Sequence, residues 1–120
     1  MPDASDKSHL TFHASGDVTV VEFSDRKILD ELSINEIGEE LTGLVGRQPG
    51  IRLLLNFRNV EHLSSAALGM LIKLNQAIGE KRGSMKLSNI SPQIYEVFKI
   101  TRLNEVFDIH DTADRALAAF

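Results

Sequence analysis

The chain contains no cysteine in its 120 residues. That excludes disulfides, thiolate catalysis and cysteine-bound metal, and it fits a reducing compartment. It also lacks any apolar run long enough for a signal peptide or a membrane span, so a cytoplasmic location and no membrane partner are expected. An excess of basic charge is missing too: 13 Lys and Arg stand against 17 Asp and Glu, for a net charge of −4. Nucleic acid and anionic membranes both need a basic surface, so neither is expected as the main partner. Low-complexity stretches, long linkers and internal repeats are absent. What remains is a chain of the usual length for one domain, with 42% hydrophobic and 25% charged residues, ordinary for a globular protein.

Residues 1–8 are polar and acidic and read as a loose tail; residues 9–120 read as a single domain. Leu10, Phe12 and Ala14 alternate with Thr11 and His13 as in a short strand. Ser15-Gly16-Asp17 turns the chain into a second strand with Val18, Val20, Val21 and Phe23, which makes a hairpin. Ile28-Leu29 then re-enters the core. Ser33 and Glu36 have the spacing of a capping box, and Ile34, Ile37, Leu41, Leu44 and Val45 follow at helical spacing. Gly46 and Pro49-Gly50 end that helix. Ile51, Leu53, Leu54, Leu55 and Phe57 form a nearly continuous apolar run, as in a central strand covered on both faces.

A second helix is expected to start at Ser64 or Ser65. Leu68, Leu71, Ile72 and Ile78 form its apolar stripe, and Lys73, Gln76 and Glu80 face water. Gly79 and Gly83 loosen its end. Met85 and Leu87 mark a fourth strand, and Ser91-Pro92 opens a short helix with Ile94, Val97 and Phe98 inward. Val106 to Ile109 reads as a fifth strand. Asp111 caps a last helix that uses Ala113, Ala116, Leu117 and Phe120. The order β-β-α-β-α-β-α-β-α predicts an α/β fold, a mixed sheet with parallel crossovers and helices packed against it.

The four histidines, His9, His13, His62 and His110, lie on separate segments without ligand spacing, so no metal is expected. Glu36, Glu39 and Glu40 read as a solvated helix face. Neither a phosphate-cradling glycine loop nor a nucleophile elbow is present, and nothing calls for a cofactor or a catalytic residue. A receiver domain would need Asp at the end of the central strand, where Asn56 stands. The remaining candidate is Ser64-Ser65. One reading is an N-cap hydroxyl followed by a small first-turn residue. The other is a serine that accepts a phosphoryl group, held by the free N–H groups of the helix start beside a partner's surface.

The stretch from Leu53 to Ile72, with its strand, polar loop and Ser64-Ser65-Ala66-Ala67-Leu68-Gly69, is close to a pattern ending Asp-Ser-Ser-Gly-Leu-Gly-Val-Leu-Leu. The run from Ile94 to Asp111 matches a helix, a Leu, then Phe-x-Ile and Asp before a last helix. On these two motifs the chain resembles the STAS domain, in particular the anti-sigma factor antagonists, over residues 9–120. The resemblance implies a STAS-like mixed sheet of about five strands with about four helices. It also implies a non-enzymatic interaction module that binds an anti-sigma factor, often a serine kinase, and so frees a sigma factor. Kinase action on a serine at the start of the second helix switches such binding off.

A gap-free alignment puts Ser64 at the family's Asp, Ser65 at its first Ser, Ala66 at the usual phosphoacceptor Ser and Ala67 at Gly; Asn56 replaces an Asp at the strand end. Ala66 cannot be phosphorylated, so Ser65 is the preferred neighbouring acceptor, with Ser64 the second choice and the expected cap. Partner contact is expected at His62, Leu63, Ser64, Ser65, Ala66, Met70 and Lys73. The alternative is a STAS scaffold or sensory module that assembles with itself or binds a nucleotide or small ligand, without a phospho-switch.

Overall fold

The computed structural model describes residues 9–120, so the tail expected at 1–8 lies outside the described residues. Leu10–Ser15 (β1) and Val18–Phe23 (β2) form the hairpin, paired antiparallel from Leu10↔Phe23 to Ser15↔Val18. Gly16 makes the turn with φ +59, a conformation that suits a residue without Cβ. Arg52–Asn56 (β4) lies parallel to β2. Beyond it come Ser84–Ser88 (β6) and Asp108–His110 (β7), also parallel, while the two-residue strands Lys27–Ile28 (β3) and His62–Leu63 (β5) pair only with each other. The sheet order is β1-β2-β4-β6-β7.

The crossovers are Glu31–Arg47 (α1), Ser65–Glu80 (α2) and Pro92–Ile100 (α3). Strand alternation divides the core in two. Val21, Phe23, Leu53, Leu55 and Leu87 point toward the three crossover helices and join the main cluster. Val18, Val20 and Leu54 point the other way, onto Ala116 of the terminal helix Ala113–Ala119 (α4). The apolar run of β4 is therefore buried on both faces, and Leu53, Leu54 and Leu55 are each 0% exposed.

Several local expectations shift. The cap of α1 is Asp30, whose side chain accepts the Ser33 N–H at 2.9 Å, so Ser33 lies inside the first turn instead of capping it. The Ser33 N–H holds the Asp30 carboxyl below its usual range. Thr112, not Asp111, caps α4 by accepting the Arg115 N–H. The last strand starts at Asp108, because Leu103–Glu105 coils into a 3₁₀ turn behind Arg102 at φ 61. Phe12 and Ala14 face solvent, since β1 is an edge strand. Leu29 and Val97 are also exposed instead of packed inward.

Glycine 83 does more than loosen the end of α2. A Cβ there would stand 2.5 Å from the Ile51 carbonyl oxygen. The close approach lets Ser84 N–H donate to Ile51 O and Gly50 N–H to Lys81 O, which seats β6 beside β4.

Candidate functional site

The site begins at the end of β4. Asn56 is buried, and its Oδ1 accepts the Arg58 N–H at 2.9 Å, which bends the chain away from the sheet. Asn59 Nδ2 donates to Phe23 O at 3.2 Å, and Val60 N–H closes a turn onto Phe57 O. Val60 and Phe57 are buried, so the polar loop is anchored from beneath.

The next step was not visible in the sequence. Lys27–Ile28 (β3) pairs in parallel with His62–Leu63 (β5), with Lys27↔His62 and Ile28↔Leu63 in register. Glu61 and His62 N–H both donate to Arg26 O, and Ser64 N–H donates to Ile28 O at 3.1 Å. Arg26 and Glu61 add an exposed ion pair at 3.0 Å. Two residues on each side are too few to show a period, so pattern reading could not find this clamp. Its effect is to hold the start of α2 against the segment that leads into α1.

Ser64 is the N-cap of α2, with φ −84 and ψ 167, and its Oγ accepts the Ala67 N–H at 3.2 Å. Its hydroxyl is thereby engaged in the fold. Ser65 is the first residue of the helix and is exposed, as is Ala66. The first turn of α2 carries no acidic side chain. The positive end of the helix dipole is therefore not offset by a local carboxylate, and an anion at this end would be stabilised. Ala67 and Leu68 turn inward and are buried, while Met70 is half-buried and Lys73 exposed.

Ala66, Met70 and Lys73 prove to be one wall of a groove of about 690 Å³ between α1 and α2. The opposite wall comes from α1, with Ile34, Gly38 and Gly43 among its apolar surface and Glu31 and Glu39 among its polar groups. Gly38 brings the helices together, since a Cβ there would come 3.0 Å from Met70 Cγ. Gly69 lines the groove with nothing within 4 Å of where its Cβ would be, so the space above it is open. Among the described residues, Glu31, Glu39 and Lys73 take part in no ion pair. The structure thus joins Ala66, Met70 and Lys73 in one concavity that begins beside Ser65. His62 and Leu63 stand on the β5 approach instead.

The α1 wall was missed from sequence, where Glu39 read as plain solvated surface. Glu36 also has a specific task. His9 Nδ1 lies 2.7 Å from Asp25 and its Nε2 2.9 Å from Glu36, so a protonated ring ties the start of β1 to the chain after β2 and to α1. Burial alone would lower the His9 pKa, but the hydrogen bonds and charges of Glu36 and Asp25 outweigh it and raise the pKa above 6.5.

The STAS domain family matches residues 9–116. The chain belongs to the STAS domain family. It is 33% identical over 58 residues to a STAS-domain containing protein of Pseudomonas aeruginosa, covering 48% of this chain and 57% of that one, so the match spans little more than half of that relative. It is 28% identical over 81 residues to the anti-sigma-B factor antagonist of Bacillus subtilis, covering 68% of this chain and 72% of that one. The structure of an anti-sigma-factor antagonist (STAS) domain protein from Planctomyces limnophilus superposes with a TM-score of 0.83 at 23% identity, covering 92% of this chain and 96% of that one. That likeness shows the fold. Among the described residues, no helix is long and apolar enough to cross a membrane, and no group of three or more His, Asp or Glu could hold a metal ion.

Proposed function

We propose that this STAS domain is an anti-sigma factor antagonist that acts in the cytoplasm by binding and not by catalysis. In this reading it docks on an anti-sigma factor, which can itself be a serine kinase, and so releases a sigma factor. The docking face is the β5–α2 corner: His62, Leu63, Ser64 and Ser65, continued by Ala66, Met70 and Lys73 along the exposed side of α2. The observation that carries the reading is an exposed Ser65 hydroxyl at the uncompensated positive end of α2, beside an open groove. The similarity to the Bacillus subtilis antagonist supports the choice of partner.

Ser65 is the proposed regulatory residue. A kinase would join its Oγ to the γ-phosphorus of ATP, with the hydroxyl proton passing to a base and ADP leaving. The product would place up to two negative charges on the docking face. Ser64 is the weaker acceptor, because its Oγ is held in the cap by Ala67 N–H. The test is titration of the chain against the anti-sigma factors of its source genome, with phosphopeptide mapping of protein isolated from the host. The expected result is a stoichiometric complex weakened by Ser65→Glu, with phosphate at Ser65. Absence of binding to every such factor, or phosphate found only on other elements, would overturn it.

Ala66 favours a second reading. It stands where the resemblance places the usual acceptor, and it has no hydroxyl. A STAS scaffold or ligand-sensing module without a phospho-switch would leave Ser65 unmodified in the host and Ser65→Glu without effect on binding.

A further inference from the structure

The two edges of the five-stranded sheet are β1 and β7. An edge strand presents a row of backbone N–H and C=O groups without a neighbour, and it invites another strand unless it is short, charged or covered. β7 is protected. It has three residues, and two of them, Asp108 and His110, are charged or polar and tied to each other, with Lys86 on Asp108 as well. β1 has no such protection. It runs for six residues, Leu10–Ser15, with no Lys, Arg, Asp, Glu or Pro among them, and no bulge interrupts its register with β2. Thr11, Phe12, His13 and Ala14 are all exposed. The charges nearest this edge are answered within the chain: Asp17 lies 3.8 Å from Arg52, Glu22 3.0 Å from Arg58, and Asp25 and Glu36 hold His9.

The hairpin decides which backbone groups of β1 are open. Ser24 N–H donates to His9 O at 2.8 Å, next in register after Leu10↔Phe23. Antiparallel pairing alternates, so Thr11, His13 and Ser15 also turn their N–H and C=O toward β2, while Leu10, Phe12 and Ala14 turn theirs outward. Leu10 is buried and already engaged. That leaves Phe12 and Ala14, one on each side of His13. We propose that β1 pairs antiparallel with β1 of a second copy of this chain, about a two-fold axis at His13, so that two five-stranded sheets become one. Phe12 exchanges both of its backbone hydrogen bonds with the partner's Ala14, and Ala14 does the same with the partner's Phe12, which satisfies every open group of the pair. On the crossover-helix face the Phe12 ring, 41% exposed, lies across from the small side chain of the partner's Ala14. On the other face Thr11 stands opposite the partner's Ser15, hydroxyl to hydroxyl. No side chain of the new ladder carries a fixed charge, so the two copies meet there without repulsion. A contact of this small extent is transient and strengthens with protein concentration. The β5–α2 corner follows β4, two strands in from this edge, so both copies keep it open and the pair presents it twice.

The experiment needs only the chain itself. Sedimentation equilibrium is run over rising concentration on the wild type, on Ala14→Pro and on Phe12→Lys. Ala14→Pro deletes an outward N–H and leaves the bonds to β2 in place, a position where edge strands tolerate proline. Phe12→Lys sets a lysine on an exposed edge position. The expected result is a wild-type mass that rises toward a dimer, with both variants monomeric and melting close to the wild-type monomer. If Ala14→Pro melts early, Phe12→Lys alone decides. The register is read by cross-linking, since the chain has no cysteine of its own. Across the two-fold, position 13 faces itself with Cα atoms roughly 4.5 Å apart, within reach of a disulfide. Under a mild oxidant, His13→Cys is expected to form a linked dimer at least tenfold faster than Thr11→Cys, whose position lies opposite the partner's Ser15. A wild type that stays monomeric at every concentration overturns the proposal, whether the Phe12 and Ala14 amides exchange freely or are covered from within the chain. Association unchanged by Phe12→Lys overturns it too, and equal cross-linking of the two cysteine variants rejects the axis at His13.

Discussion

On the α4 side of the sheet, Lys86 is tied to Asp108 and its ammonium lies 5.0 Å over the ring of Phe120, while Asp108 also meets His110 at 2.9 Å. In the α1–α2 groove, Glu31, Glu39 and Lys73 stand among apolar side chains with no ion partner among the described residues. Both surfaces mix charge with hydrophobic area. On the first the charges answer one another and the terminal helix is held down. On the second they have no ion partner among the described residues, as the proposed docking face requires.

Two glycines, Gly69 inside α2 and Gly83 just beyond it, give the strongest contrast. Gly83→Ala forces a Cβ toward the Ile51 carbonyl and is expected to destabilise by about 1–3 kcal/mol, in the range of overpacked sites. Gly69→Ala enters open space in a helix interior and is expected to stabilise by up to ~1 kcal/mol. Chemical denaturation of the two variants reads both values. Equal losses would mean that the groove above Gly69 is not open.

The two serines sharpen the same division on a smaller scale. Ser64→Ala removes the cap and should cost about 1 kcal/mol. Ser65→Ala touches an exposed first-turn position and should change stability by less than ~0.5 kcal/mol. A larger loss at Ser65 than at Ser64 would reverse their assignment.

The smallest effects are in pH dependence, where the His9 clasp and the Asp108 pair should respond with opposite sign. The raised pKa of His9 means that its clasp contributes fully below the unfolded value of 6.5 and is lost as pH rises through the higher folded value. The Asp108 carboxyl is held below its ordinary 3.8, chiefly by the Lys86 ammonium, so its contribution is present above that value and is lost as pH falls through the lower folded one. The melting temperature of His9→Gln should therefore fall below wild type at mildly acidic pH and converge with it at alkaline pH. Asp108→Asn should differ from wild type at neutral pH and converge in strong acid. A His9→Gln deficit that is constant with pH would remove the charge from the account of the clasp.

Much of this was legible in the residues. The uninterrupted apolar run Leu53-Leu54-Leu55 announces a strand covered on both faces, and Ser64 before a helical stripe announces a cap. Ser33 and Asp111 misled, because Asp30 and Thr112 were as good or better placed to accept an N–H, and spacing alone cannot choose between neighbouring oxygens. The β3–β5 clamp has too few residues to carry a pattern. The groove was illegible for a different reason. Most of it belongs to α1, and only the packing of α1 on α2, close at Gly38 and Met70, brings Glu31 and Glu39 opposite Lys73.

Amide hydrogen exchange of the chain, free and saturated with an anti-sigma factor from its source genome, tests the docking face most directly. The account predicts new protection over His62–Lys73 and along the groove side of α1, with β7 and α4 unchanged. Protection confined to β7 and α4, with the α2 start exchanging as in the free protein, would contradict it.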